Sequence, residues 1–123
     1  MTINSTNAVP LTVTNLAVTI PPEVIRTQGV PVFPVLRTYA AGSVRLLALI
    51  DAREQYGIAK YGQTLLSDDG RDTPTEIVNE AIDLLAYLTK LSMQHQGDRS
   101  LLVLLRDAVA FVEEIIGTLE ELR

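Results

Sequence analysis

The chain has 123 residues, a formal net charge of −5 and no cysteine. That length predicts one domain with a single core. The missing cysteines exclude disulfides, thiolate metal sites and cysteine nucleophiles, and without a lysine or arginine cluster duplex nucleic acid is not an expected partner. Apolar residues make up 47% of the chain and the mean hydropathy is +0.22. No stretch approaches the roughly 18 consecutive apolar residues that span a bilayer, so no membrane helix is expected. Surplus apolar surface on a small chain predicts a homo-oligomer. The opening MTINSTNAVP has no basic region followed by an apolar core, so a secretory signal is not expected and a cytoplasmic location is.

Residues 1–37 are poor in charge and rich in threonine, valine and proline, and they read as an extended or β N-terminal arm. Within it Leu11, Val13, Leu16, Val18 and Ile20 alternate with polar residues, with a phase slip near Asn15 that suits a bulge. Pro21 and Pro22 end that run. Pro31 and Pro34 argue against a central strand in VPVFPVLR, leaving an extended arm or an edge strand. Such an arm either lies on its own core or crosses to a neighbouring subunit.

Residues 38–123 read as helical, making the fold mainly α, an antiparallel helical bundle behind the arm. The first helix is expected from Tyr39 or Ser43 to Gly57, with Val44, Leu47 and Ile50 inward and Arg45, Asp51, Arg53 and Glu54 outward. The second is expected from Pro74 to Gln94. Thr73 serves as its N-cap, Pro74 suits its first turn, and Glu76 completes a capping box. The third covers Ser100 to Leu122, with Leu101, Leu105, Ala108, Val112, Ile115 and Leu119 in one stripe. Gly97 and Asp98 separate the last two.

On the second helix, Ile77, Ala81, Leu84, Leu85, Leu88 and Leu91 fall together as the expected buried side. Glu76, Glu80, Asp83 and Tyr87 form an adjoining stripe. Carboxylates at the edge of an apolar face suit a hard oxygen-ligated cation such as magnesium, and Asp51 and Glu54, three apart, share a face of the first helix. Equally, such a stripe is what a solvated helix face looks like, with Glu76 capping and Arg53 and Lys90 pairing with its neighbours. Between the helices, Lys60-Tyr61-Gly62 forms a turn and Asp68-Asp69-Gly70-Arg71-Asp72 an acidic glycine loop. This loop carries Lys60 and Arg71 toward a helix N-terminus, where phosphate is favoured, and Tyr61 can stack on a base. A plain connection with surface charges is the alternative.

The remaining polar residues give no further chemistry. His95, the lone histidine, reads as a surface residue, which leaves no zinc site. Ser43, Ser67, Ser92 and Ser100 lack a nucleophile elbow. Asp68, Asp69 and Asp72 do not continue into the spacing of a calcium loop. Glu113, Glu114, Glu120 and Glu121 read as the wet side of the last helix.

Taken together, Arg53, Gly57, Lys60-Tyr61-Gly62, Leu65, Gly70-Arg71-Asp72 and then Glu80, Ala81, Asp83, Leu84, Tyr87 and Leu88 resemble the MazG-like, all-α nucleoside triphosphate pyrophosphohydrolases, in particular the small members common in phage genomes. The resemblance covers roughly residues 31–91 and leaves out the arm. It implies a MazG-like helical bundle, a nucleotide ligand and Mg2+ as cofactor. Glu80 and Asp83 would then hold metal, Asp51 and Glu54 metal or water, and Lys60, Tyr61 and Arg71 the nucleotide. Glu54 and Glu80 would stand at the reaction centre as water attacks between the α- and β-phosphates. The better-studied enzymes carry Glu-Glu-x-x-Glu on the first helix. Here only Asp51 and Glu54 stand there, without an adjacent Glu pair, which lowers the charge available to a metal. Three functions follow as expectations: a magnesium-dependent pyrophosphohydrolase, a non-catalytic nucleotide binder such as a phage sponge for a signalling nucleotide, or a helical oligomerisation scaffold.

Overall fold

The computed structural model describes residues 28–122, and the alternating run expected between Leu11 and Ile20 lies outside them. The chain divides into two compact units, whose described parts are residues 28–71 and 72–122. Both are mainly helical, with four helices and one small two-stranded sheet among the described residues.

In the first unit, β1 (Gln28–Pro31) pairs antiparallel with β2 (Leu66–Asp68), with an irregular register between Gln28↔Asp68 and Pro31↔Leu66. Two bonds reinforce the pair: Val30 N donates to Ser67 Oγ at 2.9 Å and Val32 N to the Leu65 carbonyl at 2.9 Å. Gly29 makes that approach possible. It has φ +91°, and a Cβ there would lie 2.6 Å from the Asp68 nitrogen and against Ser67 Oγ. Of the VPVFPVLR segment expected to be extended, only Val30 and Pro31 belong to this strand.

Beyond Pro31 the extended reading is corrected, because α1 spans Val32–Tyr39. Pro31 stands at its N-cap and Pro34 in its first turn, where backbone N–H groups have no intrahelical acceptor anyway. The prolines that disfavour a strand are thus compatible with a helix start. After a turn closed by Ser43 N to the Ala40 carbonyl, α2 runs Val44–Tyr61, with Ser43 Oγ accepting from Leu46 N at 3.1 Å. The start is at the expected cap, but the helix continues four residues past Gly57. A mid-helix glycine costs only about 1 kcal/mol, whereas Gly62, at φ 80°, supplies the left-handed residue that ends the helix. Lys60 and Tyr61 accordingly lie in its last turn and not in a loop.

In the second unit, α3 (Thr73–Gln94) and α4 (Arg99–Glu121) are joined by the short turn His95–Asp98. Val78, near the start of α3, packs with Leu119, near the end of α4, and Ile115 and Ile116 join them. The hairpin is therefore antiparallel. Burying Val78 and Leu119 contributes roughly 1.5–3 kcal/mol each. The cap of α3 is Asp72, one residue before the expected Thr73. Its carboxylate accepts from Thr75 N at 3.4 Å and from Thr75 Oγ1 at 2.8 Å. This places Glu76 one position beyond a capping box. Asp98 caps α4 through Leu101 N at 3.1 Å.

The stripe expected on α4 is the inward one: Leu101, Leu105, Ala108, Val112, Ile115 and Leu119 are all buried or half-buried. On α3 the inward row is Val78, Ala81, Leu85 and Leu88, while Ile77, Leu84 and Leu91 are exposed. Among the described residues no helix is long and apolar enough to cross a membrane.

Candidate functional site

Two clusters of polar side chains are built within the first unit. The first begins with Arg37 in the last turn of α1 and with Asp51 and Glu54 on α2. Three residues apart on a helix, the two carboxylates point to the same side. Arg37 bridges them: its Nε donates to Asp51 Oδ1 at 2.8 Å and its Nη2 to Glu54 Oε1. Thr64 Oγ1 donates to Glu54 Oε2 at 2.7 Å. Only 13% of the Glu54 side chain is exposed, against 61% for Asp51. The hydrogen bond from Arg37, and then that from Thr64, hold the Glu54 carboxyl below its ordinary range. Reciprocally, Glu54 and then Asp51 raise the Arg37 guanidinium.

This arrangement bears on the expected metal. Magnesium needs octahedral oxygen ligation at about 2.0–2.1 Å. Three of the four oxygens of this pair, Asp51 Oδ1 and both of Glu54, already accept hydrogen bonds from Arg37 and Thr64. As it stands the pair fits a planar guanidinium, which presents two donors in a fork, and not a magnesium ion. Arg37 is the residue that sequence reasoning missed, since it was placed in an extended arm. The Arg53 guanidinium lies over the Tyr56 ring, 4.6 Å from its centroid.

The second cluster gathers three of the residues expected to meet a nucleotide. The Lys60 ammonium and the Arg71 guanidinium each stand 5.2 Å from the centroid of the Tyr61 ring, within the range of cation–π attraction. The glycine loop closes this group. Asp69, the one buried polar residue among those described, accepts from Arg71 N at 3.1 Å, and its other oxygen lies 4.0 Å from Arg71 Nε. Gly70 between them takes φ 84°, as an Asp-Gly turn requires. Asp69 thus fixes the backbone at Arg71, whose side chain is only 15% exposed, while Lys60 and Tyr61 remain open to solvent. Asp69 was read in the sequence only as a loop acid.

Glu80 and Asp83 belong to the second unit, exposed and one turn apart on α3, with Glu76 half-buried in the first turn. Among the described residues, neither unit gathers three aspartate, glutamate or histidine side chains as a metal-holding group. No protein-family model, curated protein or solved structure matches the chain.

Proposed function

We propose that the protein binds a nucleotide through its phosphates and base, as a non-catalytic relative of the MazG-like proteins it resembles. The observation that carries this reading is the Tyr61 ring with the Lys60 and Arg71 cations each 5.2 Å from its centroid. The Tyr61 ring, 38% exposed, would stack on a base at about 1–3 kcal/mol once a cation moves from its face to the phosphate, to which it offers a charge-assisted bond. Binding without turnover is favoured by the pairing of Asp51 and Glu54 with Arg37, which already neutralises the carboxylates a hydrolase would use for a metal.

A second reading, magnesium-dependent hydrolysis of a nucleoside triphosphate to monophosphate and pyrophosphate, has one observation in its favour. Glu80 and Asp83 stand exposed and one turn apart on α3, the half of the resemblance that is intact. Under that reading Glu80→Gln and Asp83→Asn abolish turnover.

The discriminating experiment is a calorimetric titration of NTPs, dNTPs and cyclic nucleotides into the wild type, Lys60→Ala and Tyr61→Ala. Binding by the wild type that weakens about tenfold or more in each variant, or about 1.4 kcal/mol, supports the assignment. Affinity that neither variant changes removes it.

A further inference from the structure

One short segment joins the two polar clusters of the first unit. Tyr61 is the last residue of α2 and Arg71 follows β2, so the chain between them must fold back for Arg71 to reach the Tyr61 ring. Gly62, at φ 80°, ends the helix. The path beyond it is set by the contacts that the next residues make. Thr64 Oγ1 donates to Glu54 Oε2 at 2.7 Å, and the Leu65 carbonyl accepts from Val32 N at 2.9 Å. The first contact reaches the side of α2 and the second the start of α1. By contrast, the bond from Arg71 N to Asp69 is local to the glycine loop and does not relate Arg71 to α2.

Both longer contacts lead back to Glu54. Thr64 meets it directly, and Leu65 meets α1, whose last turn is tied to Glu54 and Asp51 by Arg37. The terminal torsion of a glutamate is broad when nothing holds it. Here one oxygen takes the Arg37 guanidinium and the other the Thr64 hydroxyl, and the side chain is only 13% exposed. The carboxylate therefore has one orientation, and the hydroxyl has one acceptor position to meet. A hydrogen bond to an ionised acceptor is also stronger than a neutral one.

We propose that Glu54, oriented by Arg37, is a positioning residue: through Thr64 it sets the turn that returns Arg71 to the Tyr61 ring. It acts on that cluster by geometry, and not as a metal ligand or a base. The consequence for nucleotide affinity rests on the reading of the cluster given above; the placement of Arg71 does not.

Nuclear magnetic resonance of the full chain reads the placement. The Arg71 Nε–H resonance, assigned by its loss in Arg71→Lys, carries a ring-current shift from Tyr61, and Tyr61→Leu gives its position without the ring. Thr64→Val keeps the side-chain shape without the donor and should move the resonance toward that position. Arg37→Met, which releases the Glu54 carboxylate, should move it in the same direction. Thr64→Ser keeps the hydroxyl and should leave it in place. In calorimetric titration with the panel of NTPs, dNTPs and cyclic nucleotides, Thr64→Val should weaken binding about tenfold, equally with magnesium or with EDTA. The same substitution should add no further loss in an Arg71→Ala background. A resonance unmoved in Thr64→Val or in Arg37→Met would overturn the proposal. So would additive losses from Thr64→Val and Arg71→Ala, or a loss seen only with magnesium and reproduced by Glu54→Gln. A resonance that moves as expected in a chain that binds no nucleotide would support the positioning of Arg71 and remove the nucleotide reading alone.

Discussion

Replacing Gly29 with alanine tests how the small sheet supports the Lys60–Tyr61–Arg71 cluster proposed to bind a nucleotide. The residue has φ +91°, where a side chain introduces about 1–3 kcal/mol of backbone strain. The added Cβ would also stand 2.6 Å from the Asp68 nitrogen, where ordinary contact begins at 3.4 Å. The two strands must therefore separate by several tenths of an ångström, and displacements of that kind cost about 1–3 kcal/mol. The total is roughly 2–6 kcal/mol, more than a pairing of two short strands can absorb. Since β2 leads directly into Asp69-Gly70-Arg71, losing its pairing should disorder the anchor of Arg71. Gly29→Ala should lower the urea midpoint followed by far-UV circular dichroism, retain most of the helical signal, and weaken nucleotide binding about tenfold for each 1.4 kcal/mol of lost pre-organisation. A variant with the wild-type midpoint and wild-type affinity would refute both the strand geometry and its link to the cluster.

Three other outcomes follow from the same structure. Gly57 lies within α2 with nothing within 4 Å of an added Cβ, so Gly57→Ala should stabilise by about 0.5–1 kcal/mol, read as a higher urea midpoint at unchanged slope. Val78 is 2% exposed in the hairpin core. Val78→Ala removes two carbons at about 0.8 kcal/mol each and leaves a cavity, for a loss of about 2–3 kcal/mol in the same measurement. The third concerns pH. The folded-state pKa of Glu54 is depressed by Arg37, so its stabilisation is complete above the ordinary glutamate value of about 4.3 and is lost as pH falls through the folded value. Melting temperature against pH should show an acid-side decline that is shallower in Arg37→Met; an unchanged decline would remove Arg37 as its cause.

How much the sequence discloses depends on the range of the interaction. The inward stripe of α4 was legible residue by residue because polar positions bound it on the far side and fix its phase. On α3 the phase slipped, so that Val78 was missed and Ile77, Leu84 and Leu91 were placed inside. Apolar residues occupy both neighbouring rows there, and periodicity alone does not choose between them. Helix α1 was illegible because Pro31 and Pro34 penalise a strand while being harmless in a first turn. The Lys60–Tyr61–Arg71 group was accessible as a set because one short loop joins its members. Arg37 was not, since its bonds to Asp51 and Glu54 depend on how α1 folds back on α2. The same two carboxylates, read alone, suggested a metal pair; the structure adds Arg37, which forms ion pairs with both.

The most direct test of nucleotide binding is to incubate the purified protein with magnesium and a panel of NTPs, dNTPs and cyclic nucleotides, separate bound from free, and identify both by mass spectrometry. The expected result is an unaltered nucleotide retained by the wild type and lost from Tyr61→Ala. Failure to retain any nucleotide would contradict the binding claim, and release of monophosphate and pyrophosphate that stops in Asp83→Asn would contradict its non-catalytic character.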